Sequence, residues 1–188
     1  MLTKCLAAGA LGVLLSAGLL LAGPASGRDL LKVGDMAPDV LGRPAFGEGV
    51  HLANYRGRIV VISFFASWCG PCRAEVPMLA RLQQAATREK VVVVSVNWRE
   101  DHEHFREIQH VLQKTQLTLV SDWRGDMGTA YDVHAIPHMV IVGTDGRIAA
   151  IHIGYDTAEI PVLVEQINKL WQDVSRGAHD PVTDTAAR

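Results

Sequence analysis

Two cysteines three positions apart, Cys69 and Cys72, are the side chains in this chain best suited to chemistry. A thiolate attacks a disulfide sulfur, a mixed disulfide forms, and a second thiol nearby closes a ring and releases the reduced partner. In Trp68-Cys69-Gly70-Pro71-Cys72 two intervening residues let the second sulfur reach back to the first. Two blander readings compete, half of a zinc site and a structural disulfide. A four-cysteine zinc ribbon needs a second pair, and the only other cysteine is Cys5. A structural disulfide rarely closes so small a ring. Redox chemistry is the better reading, because the flanks put the pair where a strand meets a helix.

Those flanks are specific. Ile59 to Phe65 is a short run of β-branched and aromatic residues, the pattern of a buried strand. Arg73 to Leu82 reads as helix, within a span from about 70 to 87 in which Pro77 introduces a kink. The first turn of a helix has free N–H groups and a partial positive charge. A thiolate there is stabilised, and its pKa falls from ~8.5 to roughly 3.5–7.5. Cys69 is expected to be the exposed nucleophile and Cys72 the more buried resolving thiol. Glu75, three residues after Cys72, shares its helix face and could take or return its proton. An acid in a first helical turn is also favourable through the dipole alone.

The remaining elements must build a sheet around that junction. Lys90 to Asn97 is nearly all β-branched and fits a parallel strand covered on both faces. Glu100 to Lys114 has apolar residues at helical spacing, Gln116 to Val120 suggests a short strand, and Gly125 to Val133 one or two helical turns. Met139–Val142 and Arg147–Ile153 flank an Asp145-Gly146 turn and form a hairpin. Asp156 to Val174 is a last amphipathic helix. Before the central strand, Gly49–Leu52 and Tyr55–Arg58 suggest a hairpin-like edge. The expected fold class is therefore α/β, with a mixed central sheet flanked by helices and an N-terminal β-hairpin extension.

Composition bounds the rest. Of 188 residues 48% are hydrophobic, enough for a full core, and the net charge of -2 gives no basic surface for nucleic acid. Residues 1–27 read as a signal peptide: Lys4, an uncharged Leu/Ala/Gly run from Leu6 to Ala22, then small residues after Gly23. An uncleaved anchor is the competing reading, at the lower limit of length for a span. Residues 28–175 form one domain, and 176–188 a flexible tail. Removal of the leader takes Cys5 with it and leaves an even pair, in a compartment where disulfides persist.

With these residues in view, the chain resembles the thioredoxin superfamily. Trp68-Cys69-Gly70-Pro71-Cys72 matches that family's active-site motif at every position, and Ala135-Ile136-Pro137 is similar to its cis-proline loop. Arg73-Ala74-Glu75-Val76-Pro77, the exported leader, Gly34–Pro38 and Val96-Asn97 resemble its periplasmic TlpA/ResA-type branch. The resemblance implies a thioredoxin-like fold and a thiol–disulfide oxidoreductase with Cys69, Cys72 and Glu75 as catalytic residues. Trp68, Gly70, Pro71, Ile136 and Pro137 then form the substrate contact, with the Ile136 backbone as an edge for a client peptide. Thioredoxins proper carry a buried Asp six residues before the first cysteine; Ser63 stands there and cannot do proton chemistry near neutral pH. Glu75 falls on the branch's active-site glutamate.

The expected protein is an exported, periplasmic disulfide reductant needing no cofactor beyond the Cys69–Cys72 redox pair. Gly-Pro between the cysteines resembles reducing thioredoxins. Its expected partners are client proteins with disulfides or cysteine pairs, in cytochrome c maturation or copper-site assembly, and a membrane electron donor; it is expected to be a monomer. A copper-binding assembly module and a peroxiredoxin-like peroxidase are the alternatives, but the peroxidase needs Thr where Ala66 stands. His138, after Pro137, is read as a neutral, hydrogen-bonded loop histidine, though protonated it would lower the Cys69 pKa. His102, His104 and His110 read as a solvated helix rather than a metal site, and Trp98 and Trp123 could either pack or line a groove.

Overall fold

The computed structural model describes residues 30–44 and 48–177; the expected leader, and the tail from 178, lie outside them. In chain order the elements are β1 (Val40–Gly42), β2 (Val50–His51), β3 (Ile59–Phe65), α1 (Gly70–Ala85), β4 (Val91–Trp98), α2 (His102–Leu112), β5 (Thr118–Asp122), α3 (Asp126–Ala130), β6 (His138–Val142), β7 (Ile148–Ile153) and α4 (Ile160–Gly177). Among the described residues no helix is long and apolar enough to cross a membrane.

The two continuous apolar runs lie at the centre. Every residue of β3 and β4 is buried, and the main sheet has the order β5-β4-β3-β6-β7. β3, β4 and β5 run parallel, joined by the crossovers that contain α1 and α2. β6 and β7 add antiparallel strands on the other side of β3. Strand side chains alternate between faces, and the core is accordingly in two layers. Val60, Ile62 and Phe64 pack with Leu41, Leu52 and Tyr131. Ile59, Val61 and Phe65 pack with Leu79 of α1 and Leu163 and Ile167 of α4. Gln83 fastens α1 to the sheet: its Nε2 donates to the Val91 carbonyl at 3.1 Å and its Oε1 accepts the Val93 N–H at 2.8 Å. The helix continues through Pro77 to Ala85.

The N-terminal hairpin has different strands from those expected. β1 pairs antiparallel with β2, whereas Tyr55–Arg58 is a turn closed by Arg58 N–H to the Tyr55 carbonyl at 3.0 Å, with Gly57 at φ +78°. The reason is Asp39. Its carbonyl accepts the Leu52 N–H at 2.7 Å and its carboxylate the Ala53 N–H at 2.8 Å, which rolls 52–55 into a 3-10 turn with Leu52 buried. Two other boundaries shift for similar local reasons. Asp101 caps α2 by accepting from Glu103 and His104, so the helix starts at His102. The Arg88 guanidinium occupies the Gln116 carbonyl and the Thr118 hydroxyl, and β5 begins at Thr118. The β6–β7 turn at Gly143–Gly146 forms as expected, and α4 extends past residue 175 to Gly177.

One close approach gives a stability prediction. A Cβ on Gly128 would lie 2.1 Å from Nε1 of the buried Trp98 indole. Overpacking against a fixed ring costs about 1–3 kcal/mol. Gly128→Ala is expected to fall in the upper half of that range, read as a lower urea midpoint at unchanged slope.

Candidate active site

β3 delivers the chain to the loop Ala66-Ser67-Trp68, and Cys69 is the N-cap residue of α1. The Cys69 N–H returns to the Ala66 carbonyl at 3.2 Å, and the Cys69 carbonyl accepts the Arg73 N–H at 3.1 Å. Cys69 Sγ accepts the Cys72 N–H at 3.2 Å. A thiolate on Cys69 would therefore face a helix N–H and the positive end of the helix. The two cysteines are joined as a disulfide, with Cα atoms 5.2 Å apart. Cys69 is 5% exposed and Cys72 wholly buried. Cys69 is thus the more open of the two cysteines, but far less exposed than the sequence suggested. The Ile136 carbonyl oxygen, 3.8 Å from its Sγ, covers one side.

That carbonyl belongs to the opposing loop. The Ile136-Pro137 peptide is cis, and the Pro137 carbonyl accepts the Gly154 N–H at 2.8 Å, which holds the loop to the end of β7. Ile136 is half-buried and Pro137 buried, whereas Trp68 is 65% exposed. At that exposure the Trp68 ring stands open to solvent beside the disulfide rather than in the core. Gly70 and Pro71 form the first turn of α1, where the proline's missing N–H costs nothing.

Glu75 lies on α1 at 1% exposure, and its carboxylate accepts the Ser63 hydroxyl at 2.6 Å. Burial drives its pKa up to about 7, and the Ser63 hydrogen bond opposes the rise. A carboxyl balanced near neutrality is a good proton donor and acceptor. Ser63 does no proton chemistry itself, yet it anchors the acid that can. A lone hydroxyl in an otherwise apolar strand was the one sequence signal of that pairing.

Glu100 escaped the sequence reading. It is 7% exposed and accepts three hydrogen bonds: from the Ser67 N–H at 2.8 Å, from the Ser67 hydroxyl at 2.5 Å, and from the Asn97 side-chain amide. Arg73 Nη1 donates to the Ser67 carbonyl at 3.1 Å. Ser67, two positions before Cys69, is therefore held from both sides. Leaving buried donors unpaired costs about 1–3 kcal/mol. Glu100→Ala is expected to lower the melting temperature accordingly and to slow the reaction of Cys69 with a thiol reagent; unchanged Cys69 reactivity would show that the loop holds its shape without this clamp.

His138 is elsewhere. Its backbone pairs with Phe64, so its side chain shares the Phe64 face of the sheet, opposite α1. It meets Phe64 edge-on at 6.1 Å. Burial, and then the neighbouring His134, push its pKa below the usual histidine value, while Asp132 pulls the other way. This favours the neutral ring, but among the described residues neither nitrogen has the expected hydrogen-bond partner. His104 bonds the Asp101 cap at 2.9 Å and His102 packs on Trp123 at 5.7 Å. Among the described residues no cluster of three or more His, Cys, Asp or Glu could hold a metal. Trp98 is core, and Trp123 is half exposed.

A Cys-Gly-Pro-Cys disulfide capping a helix, set against a cis-proline loop on this mixed sheet, defines a thioredoxin-like thiol–disulfide oxidoreductase. Residues 32–167 match the family model described as Redoxin, and the chain belongs to that family. It is 30% identical to the thioredoxin-like protein YneN of Bacillus subtilis over 66% of this chain and 73% of that one. It is 28% identical to the thiol-disulfide oxidoreductase ResA of Geobacillus kaustophilus over 69% and 74%. A crystal structure of a thiol:disulfide interchange protein DsbE, described as putative, from Chlorobium tepidum superposes with TM-score 0.66 at 29% identity, covering 75% of this chain and 99% of that one.

Proposed function

We propose that this oxidoreductase works as a dedicated reductant of exported client proteins in the periplasm. The observation that carries the reading is the charge around the dithiol. A strong oxidant of this fold owes its potential to a stabilised reduced form. Here the buried titratable group next to the pair on α1 is an acid, Glu75, and Arg73 turns to the Ser67 carbonyl. The histidine that could have stabilised a Cys69 thiolate lies on the far side of the sheet. With less stabilisation of the thiolate the reduced form gives up its electrons more readily.

In the cycle, the Cys69 thiolate attacks a client disulfide, Cys72 resolves the mixed disulfide, and the oxidised pair remains. The client classes are apocytochrome c cysteines and the cysteines of a copper-site assembly protein. Re-reduction falls to a membrane electron donor, because thioredoxin reductase is cytoplasmic. The working unit in this reading is a monomer.

The test mixes the reduced protein with an oxidised Cys-X-X-Cys-His peptide at equal concentration. Near-complete transfer of the disulfide to Cys69–Cys72 supports the assignment. Near-complete transfer in the other direction, from oxidised protein to reduced peptide, overturns it.

A further inference from the structure

Glu75 is enclosed between the sheet and α1, so a proton taken from Cys72 needs a way out before the next cycle. Among the described residues a cleft reaches it. Its volume is about 20 Å³, enough for a single water molecule. Its walls grade from the buried Glu75, Met78 and Met139 to the exposed Asp156 and Glu159. Between these stands His152 of β7, whose side chain is 19% exposed. His152 pairs with Met139 in register, so both side chains point to the Glu75 side of the sheet. Its Nε2 lies 3.0 Å from Gln166 Oε1 on α4, and its Nδ1 3.9 Å from Glu159 Oε2 at the surface. The titratable groups facing the cleft are Glu75 from α1, His152 from β7, and Tyr155, Asp156 and Glu159 from the segment that follows. Beyond Glu75, the imidazole is the group among them with two ring nitrogens, one able to accept a proton while the other gives one up.

We propose that His152, with one water in this cleft, carries protons between Glu75 and solvent. The proposal rests on Glu75 acting as base for Cys72. In the resolving step the Cys72 S–H bond breaks and its sulfur bonds to Cys69. The client sulfur leaves with the electron pair of the mixed disulfide, and the proton passes to Glu75. It then moves through the water and His152 to bulk solvent, and runs the same path inward during re-reduction. No further oxidant or reductant is involved.

The experiment follows the reduced full chain with an excess of an aromatic disulfide, whose two thiolates are released in succession, first by Cys69 and then by Cys72. In dilute zwitterionic buffer at pH 6, where Glu75 starts protonated and must lose its proton through His152 before it can take that of Cys72, His152→Gln is expected to slow the second phase at least fivefold and leave the first unchanged. Added imidazole is expected to restore it. His152→Asn, with a different packing cost, should give the same pattern. A second phase unchanged in both variants, or slowed without rescue by imidazole, overturns the proposal. Glu75→Gln separates the two claims: it should slow the second phase and ignore imidazole. If Glu75→Gln leaves that phase untouched, the base assignment itself fails.

Discussion

Cys72→Ala is expected to turn the protein from a catalyst into a trap. Cys69 keeps its place at the helix N-terminus, with its sulfur toward the N–H of residue 72, and still attacks a client disulfide. The mixed disulfide then has no internal thiol to resolve it. A positioned intramolecular group acts at an effective concentration far above molar, so an external thiol at about 1 mM should resolve the adduct at least ~10³-fold more slowly. The substitution itself is mild, since the site is fully buried and alanine leaves no polar group there. Cys69→Ala should form no adduct and show no turnover. Intact-mass spectra under non-reducing conditions distinguish the two. An adduct on the Cys69→Ala protein would reverse the assigned roles, which burial alone separates only narrowly.

The second large effect belongs to Glu75. Glu75→Gln keeps a carbonyl for the Ser63 hydroxyl but removes the exchangeable proton. General acid–base groups contribute roughly 10²–10⁴-fold, and thiols, being fairly acidic, need the low end. Resolution by Cys72 should therefore slow about 10²-fold. In the wild type that step should accelerate as pH rises through about 7, where Glu75 ionises. The variant should lose that inflection. Stability should move the other way. Glu75 has its folded pKa raised from 4.5 to about 7, so the folded state holds a proton that the unfolded state releases between those values. The stabilisation from the neutral acid is complete below about pH 4.5 and is lost as pH rises to about 7. Above that, the ionised carboxylate burdens the fold by up to roughly 3 kcal/mol. Urea unfolding at pH 8 should find Glu75→Gln the more stable protein, with the gap closing at pH 4.5. A gap that does not depend on pH would contradict the buried, neutral-range acid.

The chain shows unevenly how structure is written in sequence. β3 and β4 were legible because continuous β-branched runs have one good solution, a strand covered on both faces. The redox pair was legible because its chemistry depends on local spacing. What escaped depends on contacts distant in the chain. The N-terminal hairpin is set by Asp39, whose backbone and side chain capture residues 13 and 14 positions away. Ser63 finds Glu75 across 12 positions, and Glu100 finds Ser67 across 33. His138 follows Pro137 directly, and adjacency suggested proximity to the dithiol. Strand alternation decided otherwise, because the residue pairs with Phe64 and shares its face.

The most direct test of the account is the equilibrium redox potential of the Cys69–Cys72 pair, titrated against dithiothreitol or glutathione. A dedicated reductant with an acid beside its dithiol should give a value near thioredoxin's, about -270 mV. A value near the periplasmic oxidant's, about -120 mV, would mean that the reduced pair is strongly stabilised. The protein would then be a disulfide donor, and the proposed direction of electron flow would be wrong.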